Sequence, residues 1–143
     1  MLKKAAVIAA LAVVATAAHA KEQLLVSSGS AKSLSAVAID MMSTGEATAV
    51  QVNAQIDPKY VGSVKFGCGK GAPASHKVSC TVNPDGRVVI IAFSGSNDLL
   101  PKGVVTLGTV SVPAAANFRV TEFLASDRNA QPVEVSVVDG AQK

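Results

Sequence analysis

Residues 47–58 read "ATAVQVNAQIDP", and the period of this stretch decides the fold. Val50, Val52, Ala54 and Ile56 recur at every second position, with Gln51, Asn53 and Gln55 between them. A period of two places the four aliphatics on one face of a strand and the three amides on the other. Asp57-Pro58 then ends the pattern. Pro58 has no backbone N–H to give to a ladder, so the strand stops at a rim, where a missing donor costs little.

The same grammar extends along the chain. "SAVAIDMM" (35–42) alternates and turns through Ser43-Thr44-Gly45-Glu46 into the deciding stretch. "VGSVKF" (61–66) is shorter and less regular, and the Gly-rich segment 67–77 reads as a loop. "VSCTV" (78–82) meets "NPDG" (83–86), a tight-turn sequence in which Pro presets φ and Gly accepts a positive φ. "RVVIIAFS" (87–94) follows and predicts a central strand buried on both faces. "VVTLGTVSV", "FRVTEFLAS" and "VEVSVVD" supply further strands, separated by loops at 95–103, 113–117 and 127–132. No segment after residue 20 carries a sustained helical stripe, and "AAAN" (114–117) is too short for a helix of its own. Eight or nine short strands with turns at this spacing predict an all-β fold, a two-sheet antiparallel β-sandwich.

The first twenty residues stand apart. "MLKK" is basic, "AAVIAALAVVATA" is apolar, and Ala18-His19-Ala20 has the small-x-small form that signal peptidase cuts. The apolar run is shorter than the about 20 residues a membrane span needs. Residues 1–20 are therefore expected to be a cleaved secretory signal and 21–143 a single domain, secreted or periplasmic and not inserted in a membrane. Of 13 Lys and Arg, Lys3 and Lys4 leave with that segment, so 11 cations face 10 anions, a net charge of +1. The remaining basic residues are scattered, which argues against a nucleic-acid partner. Cys68 and Cys80, two cysteines in an exported chain, are expected to form a disulfide. The competing reading, a metal pair with His76, lacks the further ligands zinc takes.

Three blocks in order resemble one family. "ATAVQVNAQIDPKYVGSV" resembles the cohesin segment in which an alternating strand runs into Asp-Pro. "DGRVVIIAFSGSNDLLPKGVVTLGTVSV" is similar to the next cohesin block, a strand ending in Ser, a loop, and a Gly opening the following strand. "FRVTEFLASDRNAQPVEVSVVDG" looks like its ending, an Asp/Asn-rich turn before a last strand closing on Asp-Gly. The resemblance implies a jelly-roll sandwich of about nine strands, a fold shared with certain carbohydrate-binding modules. It also implies non-covalent recognition of a secreted or surface protein, dockerin-like, through one sheet face. Contact positions carried over from the family fall at about Ala49 and Gln51. Gln51 offers a hydrogen-bonding side chain there and Ala49 does not.

The residues themselves speak for binding over catalysis. After residue 20 the sole histidine, His76, lies in the Gly-rich loop without a nucleophile motif beside it and reads as a surface or disulfide-adjacent polar residue. The carboxylates are dispersed, whereas glycoside hydrolysis needs two flanking a cleft. No cofactor is expected. Asp98 and Asp127 offer oxygens of the kind calcium takes, although Asp in loops commonly builds turns. A polysaccharide partner would call for flat aromatic platforms. The chain has no Trp, Tyr60 is its only Tyr, and the four Phe read as core. The uncharged row Gln51, Asn53 and Gln55 is the candidate binding face, because interface cores are depleted in charge. A structural subunit of an envelope assembly is the third reading of such a domain.

Overall fold

The computed structural model describes residues 21–31 and 34–139. The expected signal segment, 1–20, lies outside them. Nine strands form two sheets: β1 (Glu22–Ala31), β2 (Leu34–Ser43), β3 (Ala49–Gln55), β4 (Lys65–Cys68), β5 (Lys77–Val82), β6 (Arg87–Phe93), β7 (Gly103–Pro113), β8 (Arg119–Ser126) and β9 (Val135–Asp139). The five-stranded sheet runs β4-β7-β2-β1-β9 and the four-stranded sheet β5-β6-β3-β8. This is the predicted antiparallel sandwich with one parallel pair, β1 beside β9. The sequence pattern predicts no strand over residues 22–31. Leu24 and Val26 do alternate there, but the Ser- and Gly-rich run that follows carries no apolar row to extend the pattern.

The core lies between the sheets and is aliphatic. Val50, Val52, Ala54 and Ile56 enter it from β3 and its end, and Val88, Ile90 and Ala92 from β6. Leu24, Val26, Val37, Ile39, Met41, Leu107, Val110 and Val112 face them from the other sheet. Of the aromatics, only Phe123 is fully buried, while Phe66 and Phe118 pack at the margin. Phe93 does not join them: it is 41% exposed on the outer face. Nor is β6 buried on both faces, since Val89 and Ile91 are only half covered. β6 is central in its sheet, yet none of the described residues packs over that sheet's outer side.

The Asp57-Pro58 step shows why β3 stops. Ile56 N–H donates to Gly86 O at 2.9 Å and Asp57 N–H to Ala116 O at 2.8 Å, so two flanking turns take over from the ladder. The Asp57 side chain accepts from Lys59 N–H, and Pro58 opens a short 3₁₀ turn over Pro58–Ser63. Pro suits that position because its missing donor would have no partner there. Gly86, in the β5–β6 turn, has φ +89°, and a Cβ on it would lie 2.3 Å from Ile56 O. The irregular "VGSVKF" segment thus divides between this turn and β4.

Candidate functional site

The outer face of the four-stranded sheet is built by register. Gln51 lies between Ile91 of β6 and Leu124 of β8, and Asn53 lies between Val89 and Glu122. Gln55 lies between Arg87 and Arg119. On β5, Lys77 and Ser79 pair with Phe93 and Ile91. The outcome is an apolar ridge of Ile91, Phe93 and Leu124 (47% exposed) beside the row of amides.

A β-bulge aims one of these groups. Asn53 pairs with Glu122 but Ala54 pairs with Val120, leaving Thr121 as the extra residue. Without it, Val120 and Glu122 would point to the same side. With it, Val120 packs against the core and Glu122 stands outside, the re-aiming that bulges perform.

The three amides expected on this face are all there, in unequal roles. Asn53 is only 8% exposed. Its Nδ2 donates to Glu122 Oε1 at 2.8 Å, and its Oδ1 accepts from Gln51 Nε2 at 3.0 Å. Gln55 turns aside, its Nε2 donating to Ile56 O and Asp85 O, each at 2.9 Å. Gln51 alone reaches an open depression of about 180 Å³, shared with Ala49, Ile91, Leu124 and Ser126. At the other end of the row, Gln55 and Arg119 border a wider hollow whose walls are the Asp57-Pro58 turn, Ala115 and Asn117. Sequence reasoning did not single out Leu124, Phe93 or Glu122. The alternating pattern assigns a face to each of them except where the bulge shifts the phase.

Of the two expectations for His76, a surface or a disulfide-adjacent polar residue, the structure contradicts the first. His76 is 6% exposed, with Nε2 2.9 Å from Thr48 O and Nδ1 2.9 Å from Ser75 Oγ. Thr48 O is a carbonyl and can only accept, so Nε2 carries a proton and donates to it, while Nδ1 pairs with the Ser75 hydroxyl, which can donate or accept. Both ring nitrogens are occupied in holding the loop. Cys68 and Cys80 are bonded, joining β4 at the margin of one sheet to β5 at the margin of the other, with Cα atoms 5.9 Å apart. Asp98 accepts from Ser94 Oγ, and Asp127 Oδ1 accepts from the N–H groups of Asn129 and Gln131, so both carboxylates brace turns. Among the described residues, no group of three or more His, Cys, Asp or Glu is placed to hold a metal ion. No helix among them is long and apolar enough to cross a membrane.

No protein-family model matches the chain, and no curated protein matches it in sequence. Solved structures do match its fold. The sixth cohesin of scaffoldin B from Acetivibrio cellulolyticus, solved in complex with a Cel5 dockerin mutant, superposes with a TM-score of 0.58 at 12% identity. That match covers 83% of this chain and 95% of the cohesin. A non-cellulosomal cohesin from the archaeon Archaeoglobus fulgidus gives 0.57 at 13% identity, over 82% of this chain and 86% of that one. The cohesin of a type I cohesin–dockerin complex from Clostridium thermocellum gives 0.56 at 11% identity, over 84% and 90%. Strand order and packing define the class as a nine-stranded jelly-roll sandwich. Within that class the chain is cohesin-like in fold.

Proposed function

We propose that the chain is an exported, non-catalytic binding module that docks a protein partner on the outer face of β5-β6-β3-β8. The observation that carries this reading is the apolar ridge of half-covered Ile91 with exposed Phe93 and Leu124, of which Ile91 and Leu124 line the Gln51 depression. A cluster of exposed aliphatic and aromatic side chains beside oriented polar groups is the form of an interface centre. The fold neighbours solved with dockerins favour a dockerin-like partner. The basic-apolar-small order of residues 1–20 and the disulfide favour an oxidising compartment outside the cytoplasm. Sugar binding has less support. Tyr60 is half buried against the core, with the Lys59 ammonium 5.3 Å from its ring centre.

The test pairs one substitution on each sheet. Leu124→Arg removes an anchor from the proposed face, and Val104→Arg changes a still more exposed apolar residue of the five-stranded sheet, 63% against 47%. A dockerin or other partner recovered with residues 21–143 should bind Leu124→Arg at least about thirtyfold more weakly, because burying a leucine contributes about 2 kcal/mol. It should bind Val104→Arg unchanged. The opposite pattern, or retention on a glycan array with no protein partner, would overturn the reading.

A further inference from the structure

We infer that Glu122 sets the hydrogen-bond polarity of the binding face, so that the partner group seated beside the apolar anchor is a donor, a hydroxyl, an ammonium or a guanidinium, and not a carboxylate. This rests on the docking face proposed above and deepens it. An ionised carboxylate only accepts hydrogen bonds. The short Asn53–Glu122 contact therefore obliges Asn53 to turn its NH₂ toward Glu122 and its carbonyl toward Gln51. Gln51 must answer that carbonyl with its own NH₂, as it does at 3.0 Å. The direction of both amides, ordinarily ambiguous, follows from one fixed charge at the end of the relay.

The consequence is at the surface. Within the described residues, neither Gln51 Oε1 nor Glu122 Oε2 accepts a hydrogen bond. Each therefore offers lone pairs to whatever docks. Against the four lone pairs of those two oxygens the relay keeps two unused N–H groups, one on Gln51 and one on Asn53, and the latter sits on a nearly covered side chain. The polar capacity beside the depression is thus mainly that of an acceptor. A partner carboxylate there would face the lone pairs of Gln51 and the charge of Glu122, both repulsive. Glu122 is also the one anion among the outward strand residues of this sheet. The cations Lys77, Arg87 and Arg119 stand at its rim, the two arginines in register with Gln55, about 14 Å along β3 from Gln51 at normal strand rise. The partner segment that fits presents an aliphatic side chain to Ile91 and Leu124 and, about one strand repeat or 7 Å along, a Ser, Thr, Lys or Arg.

A displayed random-peptide library panned on residues 21–143 tests this with four baits: wild type, Glu122→Gln, Glu122→Lys and Leu124→Arg, each confirmed folded by circular dichroism. Wild type should enrich sequences that join an aliphatic residue to a nearby Lys, Arg, Ser or Thr. Glu122→Gln should bind those peptides roughly tenfold more weakly, the worth of one charge-assisted hydrogen bond. Glu122→Lys should select Asp or Glu in the same place. Enrichment of acidic residues by wild type, equal binding by Glu122→Gln, or no enrichment above an unrelated sandwich domain would each overturn the inference. If Leu124→Arg abolishes binding while Glu122→Gln does not, the docking face stands and the polarity assignment falls. If Leu124→Arg binds as well as wild type, the face itself is wrong and the inference goes with it.

Discussion

The two long edges of the sandwich are closed by different means. At the β4–β5 edge the sheets are joined by the Cys68–Cys80 bond, and the segment between them, "GKGAPASH" (69–76), is rich in small residues. At the β8–β9 edge the closure is non-covalent. Val133 N–H donates to Ala125 O at 2.9 Å, Ser126 bridges to Pro132, and Val133 and Val135 pack against the core. Where the chain has valines to bury, packing suffices; where it has glycines, a covalent bond replaces the missing apolar area. Both edges converge on Thr48. His76 reaches its carbonyl from the stapled edge, while its N–H donates to Ser126 O at 2.8 Å and its hydroxyl contacts Ser126 O and Asp127 O at the other. Ala49 and Ser126, on either side of that junction, are walls of the depression.

The severest way to break the stapled edge is to fill the space its backbones share. Gly108 of β7 has φ +142°, and a Cβ on it would lie 2.5 Å from Gly67 O and 3.1 Å from Gly69 N. Gly108→Val adds bulk as well as a conformation that side chains rarely adopt, and should cost about 3 kcal/mol or more in denaturant unfolding. It should also leave free thiols, because β4 cannot then hold Cys68 beside Cys80. Removing the staple alone is milder. Cys68→Ser with Cys80→Ser should lower stability by about 3 kcal/mol, the loop-entropy value for a bridge of this span, with the sheet content kept. Reduction of the wild type should match it, and a pair of variants as stable as the wild type would show that packing carries this edge too.

His76→Ala comes next and tests the junction. Thr48 O would lose its donor in a buried place, which costs about 1–3 kcal/mol. Hydrogen exchange should rise at Thr48 and Ala49 with little change across β1 and β2. In the cysteine-free background the cost should shrink, because the same loop is then already loosened and the two effects are not additive. Equal costs in both backgrounds would separate His76 from the staple.

How much of this could be read from the sequence depends on whether a pattern or a contact carries it. The inward set Val50, Val52, Ala54 and Ile56 was legible because alternation and burial are one statement in a strand. The "NPDG" hairpin was legible because its turn chemistry is local. β1 was not: its second half, Ser27 to Ala31, has no apolar row, and its pairing with β9 joins opposite ends of the chain. Phe93 and Ile91 looked like core because apolar runs do not reveal that the described residues leave one face of a sheet open. Within the candidate site, the amides were visible as residues, but the burial of Asn53 depends on Glu122 sixty-nine positions away and on a bulge that no local pattern announces. The fate of His76 likewise hangs on Thr48, twenty-eight positions before it.

The smallest effect belongs to the packed edge and should carry the opposite sign. Asp127 closes the β8–β9 turn by accepting from Asn129 N–H at 2.8 Å and Gln131 N–H at 3.0 Å, while Ala130 N–H donates to Asp127 O at 3.0 Å. That geometry holds Ala130 at φ +60°, a left-handed conformation that costs an alanine about 1 kcal/mol. Glycine adopts it freely but loses more chain entropy on folding. The two terms nearly cancel, and Ala130→Gly should stabilise by about 0.5 kcal/mol, raising Tm by about 2 °C. The turn is further tied by Arg128 Nε to Asn97 O and by Asn97 Nδ2 to Arg128 O, each 3.2 Å, so it has little freedom to relax the strain in another way. A clear loss of stability in Ala130→Gly would mean that the methyl group contributes more than its backbone costs, and that even this edge depends on a side chain at its tip.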